Sequence, residues 1–262
     1  MRKRKSKSNF LKIEFHQTYL VMALSFIITG YYLNLIVFTT LIIFHEIGHY
    51  LIAKLNNFKV EKIIIYPYGG LTKINDLINR NIEEELLIAT SGVIFQYLFY
   101  LLITILYNNN TIRTTTYNLY TIYNNQMIFF NLLPIYPLDG SKIMNLIISK
   151  YLPYNKSNII TILISIITII LISILNIYKK NYSNLMTFSL ILTYIYKFYK
   201  NRKYLYKRFL LERYLYNIEY SKKRNINNIN NMYKNKTHYI NIDNIYVEEK
   251  KVLTKIFEKK IK

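Results

Sequence analysis

The chain has 262 residues, enough for one domain and an appendage. Although 52% of it is hydrophobic, its mean hydropathy is only +0.11, because apolar residues and charges occupy separate blocks, unlike in an ordinary soluble domain. The absence of cysteine excludes disulfides and thiolate metal sites, so a transition-metal site would have to draw on His16, His45, His49, His238 and the carboxylates. The net charge of +21 suits an anionic membrane surface or nucleic acid, although the many Lys, Asn, Ile and Tyr residues, all with AT-rich codons, make composition a further source of it.

Residues 1–17 open with MRKRKSK and read as a basic cytoplasmic N-terminus. No short apolar core with a small-residue cleavage site follows, so we read no cleaved signal peptide. A helix of about 20 apolar residues crosses the hydrocarbon layer. The blocks that qualify run from Thr18 to Leu33, Leu35 to Leu55, Leu86 to Tyr107, Leu119 to Ile148 (broken by Pro134 and Pro137), Ile159 to Tyr178, and Leu185 to Tyr199. Six crossings over 18–199 place both termini on one side. The N-terminal cluster and the basic residues after Lys197 make that side cytoplasmic, with the loops 56–85 and 149–157 also inside and 108–118 outside. Lys179 and Lys180 would then lie outside, where lysines at a helix end can snorkel. Residues 200–262 form a small cytoplasmic tail: a basic amphipathic helix, an Asn-rich stretch, then a strand and a short helix from Ile245. The expected fold is thus an all-α polytopic membrane protein of about six transmembrane helices.

The second block holds His45-Glu46-Ile47-Gly48-His49. Histidines four apart share a helix face one turn apart and can bind one metal ion, with Glu46 beside them to take a proton from the water it activates. Ionisable residues inside an apolar span cost energy, roughly 2.5–3.5 kcal/mol for an acidic residue at mid-helix, and point to function. Catalytic zinc needs a third protein ligand. His16 and His238 lie outside the apolar blocks, and Asp139 is the one aspartate within one. By itself, its segment also fits a proline-kinked transporter helix carrying one acidic residue. No glutamate falls in blocks three to six, which argues against a distant Glu ligand.

Taken together, H-E-x-x-H and Asn131-Leu132-Leu133-Pro134-Ile135-Tyr136-Pro137-Leu138-Asp139-Gly140 resemble the paired signature of site-2 proteases, the intramembrane zinc metalloproteases. The YPYGGL segment, with Gly69 and Gly70, is similar to the family's Gly-Gly loop, and EEELLIATSGVIFQ to the start of its third core helix. Where the family often has Ala-Gly-Pro and then Asn, this chain has Ser91-Gly92-Val93 and Gln96. Where it usually has Gly-Gly-Arg, this chain has Gly140-Ser141-Lys142. The resemblance covers roughly residues 40–150. It implies a three-helix metalloprotease core, one zinc ion held by His45, His49 and Asp139, and Glu46 as catalytic base. Gly69 and Gly70 become substrate-binding candidates. Asn131 is a donor to the oxyanion or substrate, or equally a residue satisfying carbonyls freed at the helix break. The likeness is strongest to sporulation members of the family. It implies cleavage of a membrane-associated pro-sigma factor during endospore formation, in the bacterial inner membrane or the mother-cell-derived forespore membrane. Regulatory membrane partners fit that picture, and no direct nucleic-acid contact is expected. The tail reads as a reduced CBS-like or substrate-docking region. The alternatives are another substrate, such as an anti-sigma factor, or a polytopic transporter with an intramembrane metal site.

Overall fold

The computed structural model describes residues 12–178, 185–242 and 245–258. Lys179, Lys180, Asp243 and the MRKRKSK cluster lie outside the described residues. In chain order the elements are β1 (Ile13–Phe15), α1 (Gln17–Ile28), α2 (Tyr32–Leu55), β2 (Val60–Tyr66), β3 (Gly69–Ile74), α3 (Ile82–Asn108), α4 (Thr114–Leu132), α5 (Asp139–Tyr151), α6 (Tyr154–Tyr178), α7 (Leu185–Tyr216), β4 (Lys223–Ile226), β5 (Thr237–Ile242), β6 (Ile245–Glu248) and α8 (Glu249–Glu258), with a 3-10 turn at Ile229–Asn231. The chain is predominantly helical, as expected. Two three-stranded sheets, ordered β1-β2-β3 and β4-β5-β6, are additions to the all-α expectation.

Three described helical segments are long and apolar enough to cross a membrane: α2, α3 and Tyr154–Leu175 of α6. At 1.5 Å per residue, the 24 residues of α2 span about 36 Å, against about 30 Å of hydrocarbon. Helix α6 shows why such a helix suits lipid. Leu163, Ile167, Ile170, Leu171 and Ile174 are exposed along one face, while Ile162 and Ile169 are buried on the other. Helix α1 is apolar but has only 12 residues, since Thr29-Gly30-Tyr31 separates it from α2. Block four is two helices, because Pro134 and Pro137 cannot continue α4 and α5 restarts at Asp139. The sixth block and the basic helix expected after it form one helix, α7, of 32 residues.

The chain divides into two units, Met1–Asp76 with Thr90–Ile128, and Leu77–Ala89 with Phe129–Lys262. In the first unit, the loop expected at 56–85 contains a hairpin. Its β-branched run Ile63-Ile64-Ile65 favours a strand, and alternation buries Ile63 and Ile65 against Leu41 and Ile42 of α2. β2 pairs antiparallel with β3 and parallel with β1, leaving β3 at the sheet edge. In the second unit, the residues after α7 are folded rather than merely polar. Phe209, Met232 and Leu253 form a core with Tyr154 of α6, and Ile78 packs against it. The Tyr154 N–H donates to Met232 O at 2.9 Å.

Candidate metal centre

His45, Glu46 and His49 lie within α2 and are 2%, 3% and 5% exposed, nearly sealed from solvent. The two imidazoles meet Nε2 to Nε2 at 3.1 Å, as four-residue spacing on one helix face requires. His45 Nδ1 donates to Gln96 Oε1 at 3.0 Å. Gln96 Nε2 in turn donates to Asn124 O at 3.2 Å and Asn124 Oδ1 at 3.0 Å. Beside them, Thr72 of β3 donates its hydroxyl to Glu46 Oε2 at 2.7 Å.

Two glycines make this arrangement possible by having no side chain. A Cβ on Gly92 of α3 would strike His49 Nε2 and lie 2.7 Å from His45 Nε2. A Cβ on Gly70 would strike Glu46 Cγ and come within 2.7 Å of its Oε1. Gly69, with φ of +147°, opens β3 in a backbone conformation that favours glycine. Gly48 has a similar role, since its Cβ would lie 2.6 Å from Ser91 O.

Asp139 is the first residue of α5 and is 3% exposed. Lys142, one turn on, donates to Asp139 Oδ1 at 2.8 Å. The Ser141 hydroxyl donates to Leu138 O at 2.8 Å, satisfying a carbonyl at the helix start. A Cβ on Gly140 would strike the carbonyl oxygens of Leu132 and Leu133, so the break between α4 and α5 depends on glycine here. The Tyr136 N–H freed at that break donates to Ser165 Oγ at 3.1 Å. Asn131 sits half-buried in the last turn of α4.

His45, His49 and Asp139 are all buried. The donor set fits zinc: two imidazoles and a carboxylate, with a fourth position left for water or substrate. Zinc bonds of about 2.0–2.2 Å hold tetrahedral ligand atoms roughly 3.3–3.6 Å apart, close to the separation of the imidazole nitrogens. The other histidines do different work. His16 accepts the Thr18 N–H as the N-cap of α1, and His238 is buried in the tail. Asp76 accepts the Lys59 N–H at 3.1 Å.

Sequence reasoning left the role of Gln96 open and missed Asn124 and Thr72. For the first two a signal exists, since an amide inside an apolar span needs a partner. Thr72 carries none, because its place opposite Glu46 depends on how β3 pairs.

The model of peptidase family M50 matches residues 33–113, which include His45, Glu46, His49 and Gln96. Stage IV sporulation protein FB of Bacillus subtilis (strain 168) is 29% identical over 206 residues, covering 78% of this chain and 72% of that protein. A zinc metalloprotease of Methanocaldococcus jannaschii is 33% identical over 119 residues, covering 44% of this chain and 34% of that protein. The solved site-2 protease from Methanocaldococcus jannaschii matches in fold with a TM-score of 0.58 at 22% identity, covering 72% of this chain and 92% of that one. These likenesses support a zinc metalloprotease of the site-2 type, similar to peptidase family M50 over residues 33–113.

Proposed function

We propose that this protease cleaves a membrane-associated pro-sigma factor during endospore formation, with His45, His49 and Asp139 as zinc ligands and Glu46 as the catalytic base. The observation that carries the site assignment is the buried pair His45 and His49, Nε2 to Nε2 at 3.1 Å, with Glu46 on the same helix. The sporulation assignment rests on the likeness to stage IV sporulation protein FB over most of both chains.

Zinc in this site would supply Lewis acidity, bringing the pKa of a water to about 7 and polarising the scissile carbonyl. Glu46 takes the proton of the attacking water and hands it to the leaving amine. The Thr72 hydroxyl holds one Glu46 oxygen, which fixes the carboxylate for this work. β3 is an edge strand that begins at Gly69-Gly70 beside Glu46, so an extended substrate can add to it as a further strand. Asn131 is the proposed donor to the oxyanion or to the substrate backbone.

The proposed topology is six crossings over 18–199 with both termini cytoplasmic. Reporter fusions after Lys150 and Lys262 should read cytoplasmic, and one after Asn110 external; the reverse pattern would overturn it. The proposed role of 200–262 is substrate docking through its basic surface. Lys236 titrates below its usual range because of burial and then the charges of Arg224 and Lys222, so these three cations crowd together. Such a cluster suits an acidic face of the substrate.

The direct test is co-expression of the chain with a membrane-associated pro-sigma factor. The parent should shorten it and Glu46→Gln should not. Failure on a pro-sigma factor with cleavage of a membrane-anchored anti-sigma factor would retain the protease and replace its substrate.

A further inference from the structure

Gln96 is completely buried in α3, and Asn124, its partner in α4, is 1% exposed. We infer that Gln96 and Asn124 are positioning residues that hold His45 in the tautomer able to bind metal through Nε2. The inference rests on the zinc reading above and deepens it.

The hydrogen-bond directions follow from chemistry. Gln96 Nε2 faces two oxygens of Asn124, the backbone carbonyl at 3.2 Å and Oδ1 at 3.0 Å. Only the amide NH2 satisfies two acceptors, so the Gln96 oxygen must be the atom turned to His45 Nδ1 at 3.0 Å. An amide oxygen only accepts, so His45 Nδ1 carries the proton. A neutral imidazole has one N–H, and Nε2 therefore presents its lone pair where it meets His49 Nε2 at 3.1 Å. The ring plane is set by the same bond. Asn124 prevents the Gln96 amide from rotating by half a turn, which would aim an NH2 at His45 and favour the wrong tautomer.

Position on the helix supports this assignment. Gly92 and Gln96 are four apart on α3, hence on one face. The missing side chain at Gly92 brings the α3 backbone against both imidazoles. From there a glutamine spans the gap between His45 and Asn124. The amide is neutral, so it fixes the tautomer without adding an ionised group to an apolar span, where such a group is expensive. Partners of this kind behind a metal-binding histidine typically affect metal affinity 10–100-fold.

The full-length chain in detergent provides the test, read by zinc affinity in competition with a chromophoric chelator and by the visible spectrum of the cobalt-substituted protein. Gln96→Met should weaken zinc about 10–100-fold and alter the cobalt spectrum. Gln96→Glu keeps an oxygen for the His45 Nδ1–H and should stay within a few-fold of the parent. A space-filling role ranks the two the other way, because methionine fills the volume and glutamate buries a charge. Gln96→Met binding as tightly as the parent, or Gln96→Glu losing as much as Gln96→Met, overturns the inference. Should Gln96→Met fail to accumulate, Gln96→Asn decides. It is one methylene short of spanning both partners, so it should weaken zinc, and parental affinity in that variant also overturns the inference. A folded parent that binds no zinc sinks the metal reading itself, and this inference with it.

Discussion

Two buried clusters of ionisable groups, one around α2 and one in the tail, solve opposite problems. In the tail, Arg213 spends every N–H on the protein. Its Nε donates to Asn79 Oδ1, and its terminal nitrogens to Glu249 and the carbonyls of Tyr233, Lys234 and Lys236, at 2.7–3.1 Å. Glu249 also accepts from His238 N and Nδ1, and His238 Nε2 accepts the Tyr233 N–H. Donors and acceptors match, so the cluster is closed and structural. At the α2 site, two imidazole nitrogens meet 3.1 Å apart instead, and the Nδ1–H that His45 gives to Gln96 leaves its Nε2 as an acceptor. Two imidazoles at that spacing on one helix face suit a shared metal ion. Burial alone does not separate function from structure here, whereas the direction of the hydrogen bonds does.

Glu46→Gln tests the comparison most severely. Cleavage should fall about 10²–10⁴-fold, the usual worth of a positioned general base, with zinc content unchanged. Near-normal turnover would remove Glu46 from the chemistry. Arg213→Met should do the reverse. Removing one partner of a buried ion pair costs roughly 3–5 kcal/mol, so the tail should open to limited proteolysis while zinc stays bound. If zinc leaves and the tail remains protected, the roles of the two clusters are exchanged. For the same reason, removing 225–262 would uncover Phe209 and Arg213 and is a poor probe of docking. Replacing Lys222, Arg224 and Lys236 with Glu tests docking with the core intact, and unchanged processing by that variant would assign docking elsewhere.

Gly92→Ala sharpens the boundary between cradle and ligand. Its methyl meets both imidazoles, and overpacking of roughly 1–3 kcal/mol corresponds to about a five- to hundredfold loss of zinc affinity. Asp139→Asn should also weaken zinc, whereas Asp76→Asn should not, and zinc titration of the three variants ranks them. The smallest effect concerns pH. Burial, opposed by the hydrogen bond to Glu249, lowers the His238 pKa from 6.5, so the folded tail binds fewer protons than the unfolded one. That part of tail stability is complete above about pH 6.5 and declines as pH falls through 6.5 toward the lowered value. Thermal unfolding followed by proteolysis of the tail should show that slope in the parent and a shallower one in His238→Gln.

Much of this protein can be read from sequence because its strongest signals are local. Four-residue spacing puts His45 and His49 on one helix face whatever surrounds them, and uncharged runs such as Ile159–Tyr178 declare their solvent. The prolines at 134 and 137 ended α4 as expected, because a missing N–H is a property of the residue. Tertiary structure decided what depends on distant partners. Whether Thr72 meets Glu46 depends on the pairing of β3 with β2, and a shift of one residue would turn it to the other face. Gln96 and Asn124 are ordinary polar residues in sequence and become a hydrogen-bonded relay only where α3 and α4 bring them together. The Asn-rich tail is polar by composition, yet Met232 and Leu253 are buried there, because a few apolar residues far apart in the chain suffice once strands and helix close around them. Composition averages over such residues, while packing selects them.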